Sequence, residues 1–270
     1  MITAETILTR KSVRSYDGRA IETETLERIR TFANEVGNPF GIPVSFAFLD
    51  AKERGLSSPV LTGEPLYVAG KVGKVPYGDV AFGFSMEHLL LYAWSLGVGS
   101  VWIGGTMKRE LFEAAAGKRP EERMPCVSPL GYPAAKKSLR ETVMRRGVGA
   151  DSRLPGEKLF FLDGFDTPLS GKALEPCGDI LELVRWAPSA VNKQPWRVVL
   201  RGGRYHFYLK HDKGYTSDAV GDMQKIDLGI ALCHFVLGAE LKGFTASVQV
   251  DDPGIAVPTG TEYIASVVLE

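Results

Sequence analysis

The sequence predicts an α+β protein made of two related halves, each built around one long apolar helix. Two observations predict this class. Helix and strand patterns follow one another in the same order in both halves. In addition, setting residues 83–97 against 229–243 gives five identities. The identical pairs are Gly83 and Gly229, His88 and His234, Leu91 and Leu237, Ala93 and Ala239, and Gly97 and Gly243. This repeat is much longer than a solenoid unit and favours a duplicated domain, although two generic apolar helices are the alternative.

The first half begins with an amphipathic segment for which Thr23 is the predicted N-cap. Thr106 is the predicted N-cap of a later helix, and Gly97 is the predicted C-cap of the long apolar helix. In order, the predicted elements are helix 23–34, strands 43–49 and 65–72, the long helix 80–96, strand 100–103, helix 106–116 and strand 124–130. The polar segment 133–156 is predicted to be a surface connection.

The second half repeats this order. The dipeptide Gly202-Gly203 predicts the turn of a β-hairpin. The predicted elements are helix 179–186, the hairpin strands 196–201 and 204–210, a second long apolar helix 226–241 and a terminal strand 263–269.

Charge and cysteine content narrow the function classes. Lys plus Arg and Asp plus Glu both number 32, so no overall field attracts nucleic acid or an anionic membrane. Cys126, Cys177 and Cys233 are far apart, odd in number and without metal-ligand spacing. This pattern argues against a disulfide framework or a zinc site.

We expect a cytoplasmic location. The first residues lack the basic-then-apolar pattern of a signal peptide. The most apolar stretch, 80–103, contains Glu87 and His88 and several glycines, which is typical of a buried helix followed by a strand.

Two segments contain residue types suited to binding a ligand. Arg10-Lys11-Ser12-Val13-Arg14 puts two guanidinium groups and a hydroxyl within five residues, a pattern that suits a phosphate; the alternative is a solvated basic turn. The segment 187–196, A-P-S-A-V-N-K-Q-P-W, combines stiffening prolines with Ser, Asn and Gln hydrogen-bonding groups. Its alternative is an ordered turn whose amides satisfy its own backbone.

Together these segments resemble the nitroreductase family of FMN-dependent NAD(P)H oxidoreductases. Members of that family carry R-R/K-S-x-R near the start, similar to 10–14 here, and A-P-S-x-x-N-x-Q-P-W, similar to 187–196. The stretch 96–105 resembles the family's G-L-G-S-x-W-I-G motif, and 151–155 resembles its S-R-x-P segment. In the family, the second motif follows the first after one helix, whereas here it lies a whole domain away.

The resemblance implies a nitroreductase-like fold with two α/β-sandwich halves, 1–155 and 156–270, forming a single-chain pseudo-dimer. In the family, two subunits share each FMN site, one giving the Arg-Ser-Arg segment and the other the Pro-Ser-x-x-Asn loop. Here both come from one chain, so we expect a monomer. The counterparts 34–41 and 163–168 lack the motifs, which implies one FMN per chain.

The resemblance also implies residue roles. Arg10 and Arg153 would hold the FMN phosphate, Ser12 would donate to it or to the ribityl chain, and Arg14 would lie near the pyrimidine edge. Asp151, at a position that is often basic in the family, would weaken the phosphate site.

At the other end of the cofactor, the backbone N–H of Gly104 or Gly105 would face flavin N5, and the loop would close the opposite side of the ring. The complete set implied to bind FMN is Arg10, Lys11, Ser12, Arg14, Ile103, Gly104, Gly105, Arg153, Pro188, Ser189, Ala190 and Asn192.

The implied reaction is ping-pong: NADH or NADPH reduces FMN, and a small electron acceptor such as a nitroaromatic or a quinone then takes its place. No side chain is expected to act as a nucleophile. The alternatives are a non-catalytic FMN- or nucleotide-binding protein and a flavin-destroying or dehalogenating relative on the same fold.

Two other residue types are assigned from the sequence alone. His88 and His234 are predicted to be partly buried and bonded to the opposite long helix, the alternatives being a proton relay or a metal pair. Trp102, Trp186 and Trp196 are predicted core residues, and for Trp102 the alternative is a position near the flavin.

Overall fold

The computed structural model of the chain describes residues 1–136, 138, 141–142, 147, 149 and 152–270. It confirms the α+β class. The helices are α1 Ala4–Thr9, α2 Thr23–Glu35, α3 Gly78–Ser95, α4 Arg109–Ala115, α5 Gly178–Arg185 and α6 Met223–Leu241. The strands are β1 Val44–Asp50, β2 Leu66–Gly73, β3 Gly99–Ser100, β4 Glu122–Arg123, β5 Val127–Gly131, β6 Phe160–Leu162, β7 Trp196–Arg201, β8 Arg204–Lys210, β9 Thr216–Ser217, β10 Gly221–Asp222, β11 Ala246–Gln249 and β12 Thr261–Leu269.

Each half of the chain builds its own sheet. The first sheet has the strand order β1-β2-β5-β3, with β4 paired to β2. The second has the order β11-β12-β8-β7-β6. Read from β7, the second sheet has the order β7-β8-β12-β11. This is the same arrangement as β1-β2-β5-β3 in the first sheet, with each strand replaced by its counterpart. β6 is added beside β7 as a parallel strand. The boundary between residues 155 and 156 stays a prediction.

The two long helices pack directly against each other and form the centre of the molecule. Glycines make this close approach possible. A Cβ on Gly83 would lie 2.1 Å from the Ile226 carbonyl oxygen, and one on Gly229 would lie 2.0 Å from the Val80 carbonyl oxygen. The register that aligns 83–97 with 229–243 also aligns Val80 with Ile226. Each glycine therefore meets the equivalent backbone carbonyl of the other helix. Only glycine allows two helix backbones to meet at this distance.

The hydrophobic core is continuous across the two halves. One cluster of buried residues runs from β2 and α3 through α6 to β7, β8 and β12. Trp196, predicted to be core, is 0% exposed. The turn between β7 and β8 has Gly202 and Gly203 at φ 56° and 74°, as a type I′ hairpin requires.

Several predicted boundaries shift. Glu22, not Thr23, occupies the N-cap position of α2. Thr106 caps no helix, because α4 begins at Arg109 and the Thr106 carbonyl accepts a hydrogen bond from Ser58 Oγ. The second long helix begins a turn earlier than predicted, because the Asp222 side chain accepts from the backbone N–H groups of residues 224 and 225.

No helix among residues 1–136 and 152–270, or in the short described pieces between them, is long and apolar enough to cross a membrane.

Candidate functional site

The two predicted binding segments line one cavity of about 390 Å³. Residues 10–14 come from the first half and 188–192 from the second. The predicted residues that line it are Arg10, Lys11, Ser12, Arg14, Gly104, Arg153, Pro188, Ser189, Ala190 and Asn192. A volume of this size lies within the usual range for small-molecule sites, ~300–1,000 Å³.

The first wall is the extended segment that follows α1. Arg10 is the C-cap residue of that helix, and its side chain is 4% exposed. Ser12 forms a parallel bridge with Ser100, and the Val13 N–H donates to the Ser100 carbonyl over 2.9 Å. This pairing fixes the basic segment to the strand edge of the first sheet and holds its side chains at the cavity.

The second wall is the loop between α5 and β7, whose backbone is unusual. Val191, Asn192 and Gln194 have φ angles of 49°, 57° and 50°, in the left-handed region that side chains disfavour. Ser189 Oγ accepts from the Gln194 N–H over 2.9 Å, and Val191 is 59% exposed. The loop is therefore held in a strained shape, as is common at binding sites.

Polar groups of this loop hold a segment that precedes the predicted domain boundary. Asn192 Nδ2 donates to the carbonyl oxygens of Gly149 (2.8 Å) and Ser152 (3.1 Å). Gln194 Oε1 accepts from the Leu154 N–H over 2.9 Å. The sequence motif was expected to turn Asn192 toward the cofactor. In the structure Asn192 lines the cavity, while its amide nitrogen donates to these backbone carbonyls.

Arg153 packs against the loop motif. Its guanidinium lies 4.8 Å from the ring centre of Trp186 and donates to Asn192 Oδ1 over 3.4 Å. Trp186, predicted as core, thus lies on the cavity wall, as does Trp102. Asp151, the expected weakening acid, lies outside the described residues.

Gly104 forms part of the cavity wall between β3 and α4. A Cβ there would lie 3.3 Å from Cys126 Sγ and 3.4 Å from Met223 Cε, so a side chain would crowd the wall. Arg109 fixes this turn by donating to the Gly104 carbonyl over 2.7 Å. No sequence motif pointed to Arg109, because its hydrogen-bond partners are backbone carbonyls, which every residue carries.

Two residues expected at the site are placed elsewhere. Ile103 is 4% exposed, packs in the core beside Val127 and uses its N–H on the Val127 carbonyl at 2.9 Å. Gly105 is solvent-exposed, a Cβ added to it would meet open space, and it does not line the cavity. Of the Ile-Gly-Gly turn, Gly104 alone is a lining residue.

Sequence reasoning missed the wall formed by α6. Its lining residues, at i, i+3, i+4 and i+7, are Met223, Ile226, Asp227 and Ile230. Asp227 is 4% exposed and accepts from the Ala190 N–H over 2.9 Å, which ties the loop to the helix. Burial raises the pKa of this carboxyl well above its usual range. An acid in the first turns of an otherwise apolar helix was the available signal.

The diverged counterparts serve local structure. Asn38, in the first-half counterpart 34–41, donates to the Ile42 carbonyl (2.7 Å) and to Ser85 Oγ (3.1 Å) within its own half. Residues 163–168 form a turn at the edge of the second sheet, where the Asp163 N–H donates to the Leu200 carbonyl over 2.8 Å.

Comparisons with known proteins agree with the resemblance found in the sequence. A family model described as "Putative TM nitroreductase" matches residues 3–239. The crystal structure of a "putative nitroreductase" from Thermotoga maritima MSB8 is 22% identical, with a TM-score of 0.65, and the match covers 100% of this chain and 94% of that one. This likeness confirms the predicted nitroreductase-like fold.

Two further structures match about half of the chain. One is a nitroreductase family protein from Clostridium novyi NT (20% identity, TM-score 0.43, 51% of this chain and 89% of that one). The other is an FMN-dependent nitroreductase from Clostridium difficile R20291 (19%, 0.44, 50% and 90%). The comparison with curated proteins gives no match. Because the family model spans most of the sequence, the chain belongs to the nitroreductase family.

Proposed function

We propose that the chain is an FMN-dependent NAD(P)H oxidoreductase that reduces a small acceptor, of the nitroaromatic or quinone class, in a ping-pong cycle. Its single FMN site would lie between the halves 1–155 and 156–270. One observation carries the proposal: the two family motifs, which lie in different halves, line one cavity.

The chemistry of the cavity suits a phosphate-bearing cofactor. Arg10 is almost completely buried, and its Nε and one terminal nitrogen have no hydrogen-bond partner among the described residues. Such donors are costly to bury unless they bind something. An FMN phosphate would supply charged acceptors for them.

At the phosphate end, Arg10 and Arg153 would bind the anion, and Ser12 would donate a hydrogen bond. Arg153 is already oriented by Trp186 and Asn192, so little side-chain freedom is lost on binding. This preorganisation favours affinity.

At the ring end, FMN when bound would accept a hydride from the nicotinamide and pass it to the acceptor. The chain would supply a flat wall at Gly104, held by Arg109. Ile226 and Ile230 would exclude water beside it. The positive groups along the opposite wall would stabilise negative charge that develops on the ring.

We further propose that the protein works as a monomer in the cytoplasm. All three cysteines are unpaired and buried, as is usual in a reducing compartment.

The test is a visible spectrum of the purified protein after incubation with FMN and removal of unbound cofactor. We expect a bound flavin spectrum that NADH or NADPH bleaches without oxygen and that a nitroaromatic or a quinone restores. Protein that takes up no FMN would contradict the proposal. Bound FMN that neither donor bleaches would support the non-catalytic binding alternative instead.

A further inference from the structure

A fully buried acid connects the cavity wall to the opposite half. Glu87, on α3, is 0% exposed. One of its carboxylate oxygens accepts from Trp102 Nε1 over 2.9 Å and lies 3.7 Å from a terminal nitrogen of Arg10. The other lies 3.1 Å from Nε2 of His234, on α6. Arg10 and Trp102 both line the cavity.

The partners of His234 show where a proton must be. Its Nδ1 lies 2.9 Å from the Leu183 carbonyl of α5, which can only accept, so Nδ1 carries hydrogen. Nε2 then faces a carboxylate oxygen of Glu87, and the bond between them requires one more proton. The Glu87–His234 pair therefore holds a proton that a neutral imidazole beside a carboxylate would lack.

The surroundings favour that proton on the histidine. Burial alone would raise the pKa of Glu87, but Arg10, His234 and Trp102 together outweigh it and lower the pKa. The resulting group contains the Arg10 cation, the Glu87 anion and the His234 cation, with a net charge of one positive unit. Without the proton, Arg10 and Glu87 cancel.

The neighbouring titratable groups do not change the net charge of the group formed by Arg10, Glu87 and His234. Cys233 on α6 is buried, and burial raises the pKa of its thiol, so it stays neutral. His88 on α3 packs edge-on against Phe32, and burial lowers its pKa to about 4. The α5 side contributes the Leu183 carbonyl.

We propose that Glu87 and His234 are positioning residues for Arg10 and that the proton they share across the two halves keeps this wall positive enough to bind a phosphate monoester. The proposal rests on the proposed function, in which that ligand is FMN. Arg10 touches the ligand; the pair acts through it.

The test measures the FMN dissociation constant by flavin fluorescence for the wild type, His234→Gln, Glu87→Gln and the double variant. His234→Gln leaves Glu87 opposite Arg10 without compensation, so we expect affinity to fall roughly tenfold, the size of one charged hydrogen bond. Adding Glu87→Gln to it removes the cancelling anion and should restore most of that loss.

A pH series separates this role from a purely structural one. We expect wild-type affinity to decline relative to Glu87→Gln as pH rises, because only the wild-type pair needs the shared proton for its hydrogen bond. Titration of the FMN phosphate affects both proteins alike. Glu240→Gln, on the same helix but outside the group, is the control and should follow the wild type.

Two results would overturn the inference: His234→Gln binding FMN as tightly as the wild type, or the double variant binding no better than His234→Gln. If Glu87→Gln fails to fold, the FMN affinity of His234→Gln is compared with that of the wild type across the pH series, and this comparison decides. Wild-type protein that binds no FMN at any pH would instead contradict the proposed function.

Discussion

At the scale of single residues, the same motif serves two purposes. Arg10 lines the cavity and has buried donors without hydrogen-bond partners among the described residues, whereas the amide nitrogen of Asn192 donates to the backbone of Gly149 and Ser152. The sequence could predict that both belong to one site, because the motif letters are specific. It could not predict the Asn192 contacts, because they depend on where a segment forty residues away packs.

Arg10→Ala and Asn192→Ala should therefore both weaken FMN binding, by different routes. Losing a charged donor should cost Arg10→Ala about tenfold or more in affinity. Its Tm should also fall, because the buried Glu87 loses a cation at 3.7 Å. Asn192→Ala should lower both affinity and Tm, because the loop loses its anchor. Isothermal titration and thermal unfolding measure the two effects.

The matched control is Lys193→Ala, an exposed neighbour that pairs with Asp212 at 3.4 Å. It should change neither property. An unchanged FMN affinity in Arg10→Ala or in Asn192→Ala would mean that the site is not shared between the halves.

Asp227 gives a prediction for stability against pH. Because burial raises its pKa, the folded protein binds a proton there more tightly than the unfolded chain does, so the carboxyl costs stability as pH rises above the ordinary pKa of aspartate. Asp227→Asn keeps an acceptor for the Ala190 N–H. We expect Tm at pH 7 to rise on the order of 2–4 °C, the effect of about 1 kcal/mol in a chain of this size.

The gain should shrink as pH falls toward the ordinary pKa of aspartate, ~3.9, where both states are protonated. Thermal unfolding from neutral to acid pH measures it. A gain of equal size at every pH would show that the carboxyl is not the cause.

At the scale of elements, the crossing of α3 and α6 is the feature that the fold depends on most. The apolar runs predicted both helices, and the alignment paired Gly83 with Gly229. Periodicity could not show that these glycines touch. In contrast, α1 and β11 were not predicted, because elements of six and four residues carry too little pattern.

Gly83→Ala and Gly229→Ala should each destabilise the protein by at least about 3 kcal/mol, since the added methyl group meets a rigid backbone carbonyl. Gly238→Ala, also in α6, is the comparison. Its Cβ would meet side-chain ends of Leu183 and Ile180 at 3.0 and 3.2 Å, which can move, so the loss should be smaller. Denaturant unfolding measures the stability loss of each of the three variants.

Equal losses in all three variants would mean that the close crossing does not set the cost. Helix propensity cannot be the cause of any loss, because alanine favours a helix more than glycine does.

At the scale of the whole molecule, two sheets with the same strand order flank one pair of helices. The sequence indicated this arrangement through its repeat, and the unequal loss of motifs at 34–41 and 163–168 indicated one surviving site. What it could not indicate is how Gly149 and residues 152–154 reach the second-half loop, because no local pattern encodes a tertiary contact of this kind.

A fused pair needs no partner chain, so light scattering should give the mass of one chain across a wide concentration range. An obligate dimer would contradict the single-chain arrangement.

The stoichiometry of FMN binding tests the shared single site most directly. In an equilibrium titration at protein concentrations well above the dissociation constant, the account predicts saturation at one FMN per chain, lost in Arg10→Ala and in Asn192→Ala alike. Saturation at two FMN per chain, or one FMN that survives both substitutions, would contradict it.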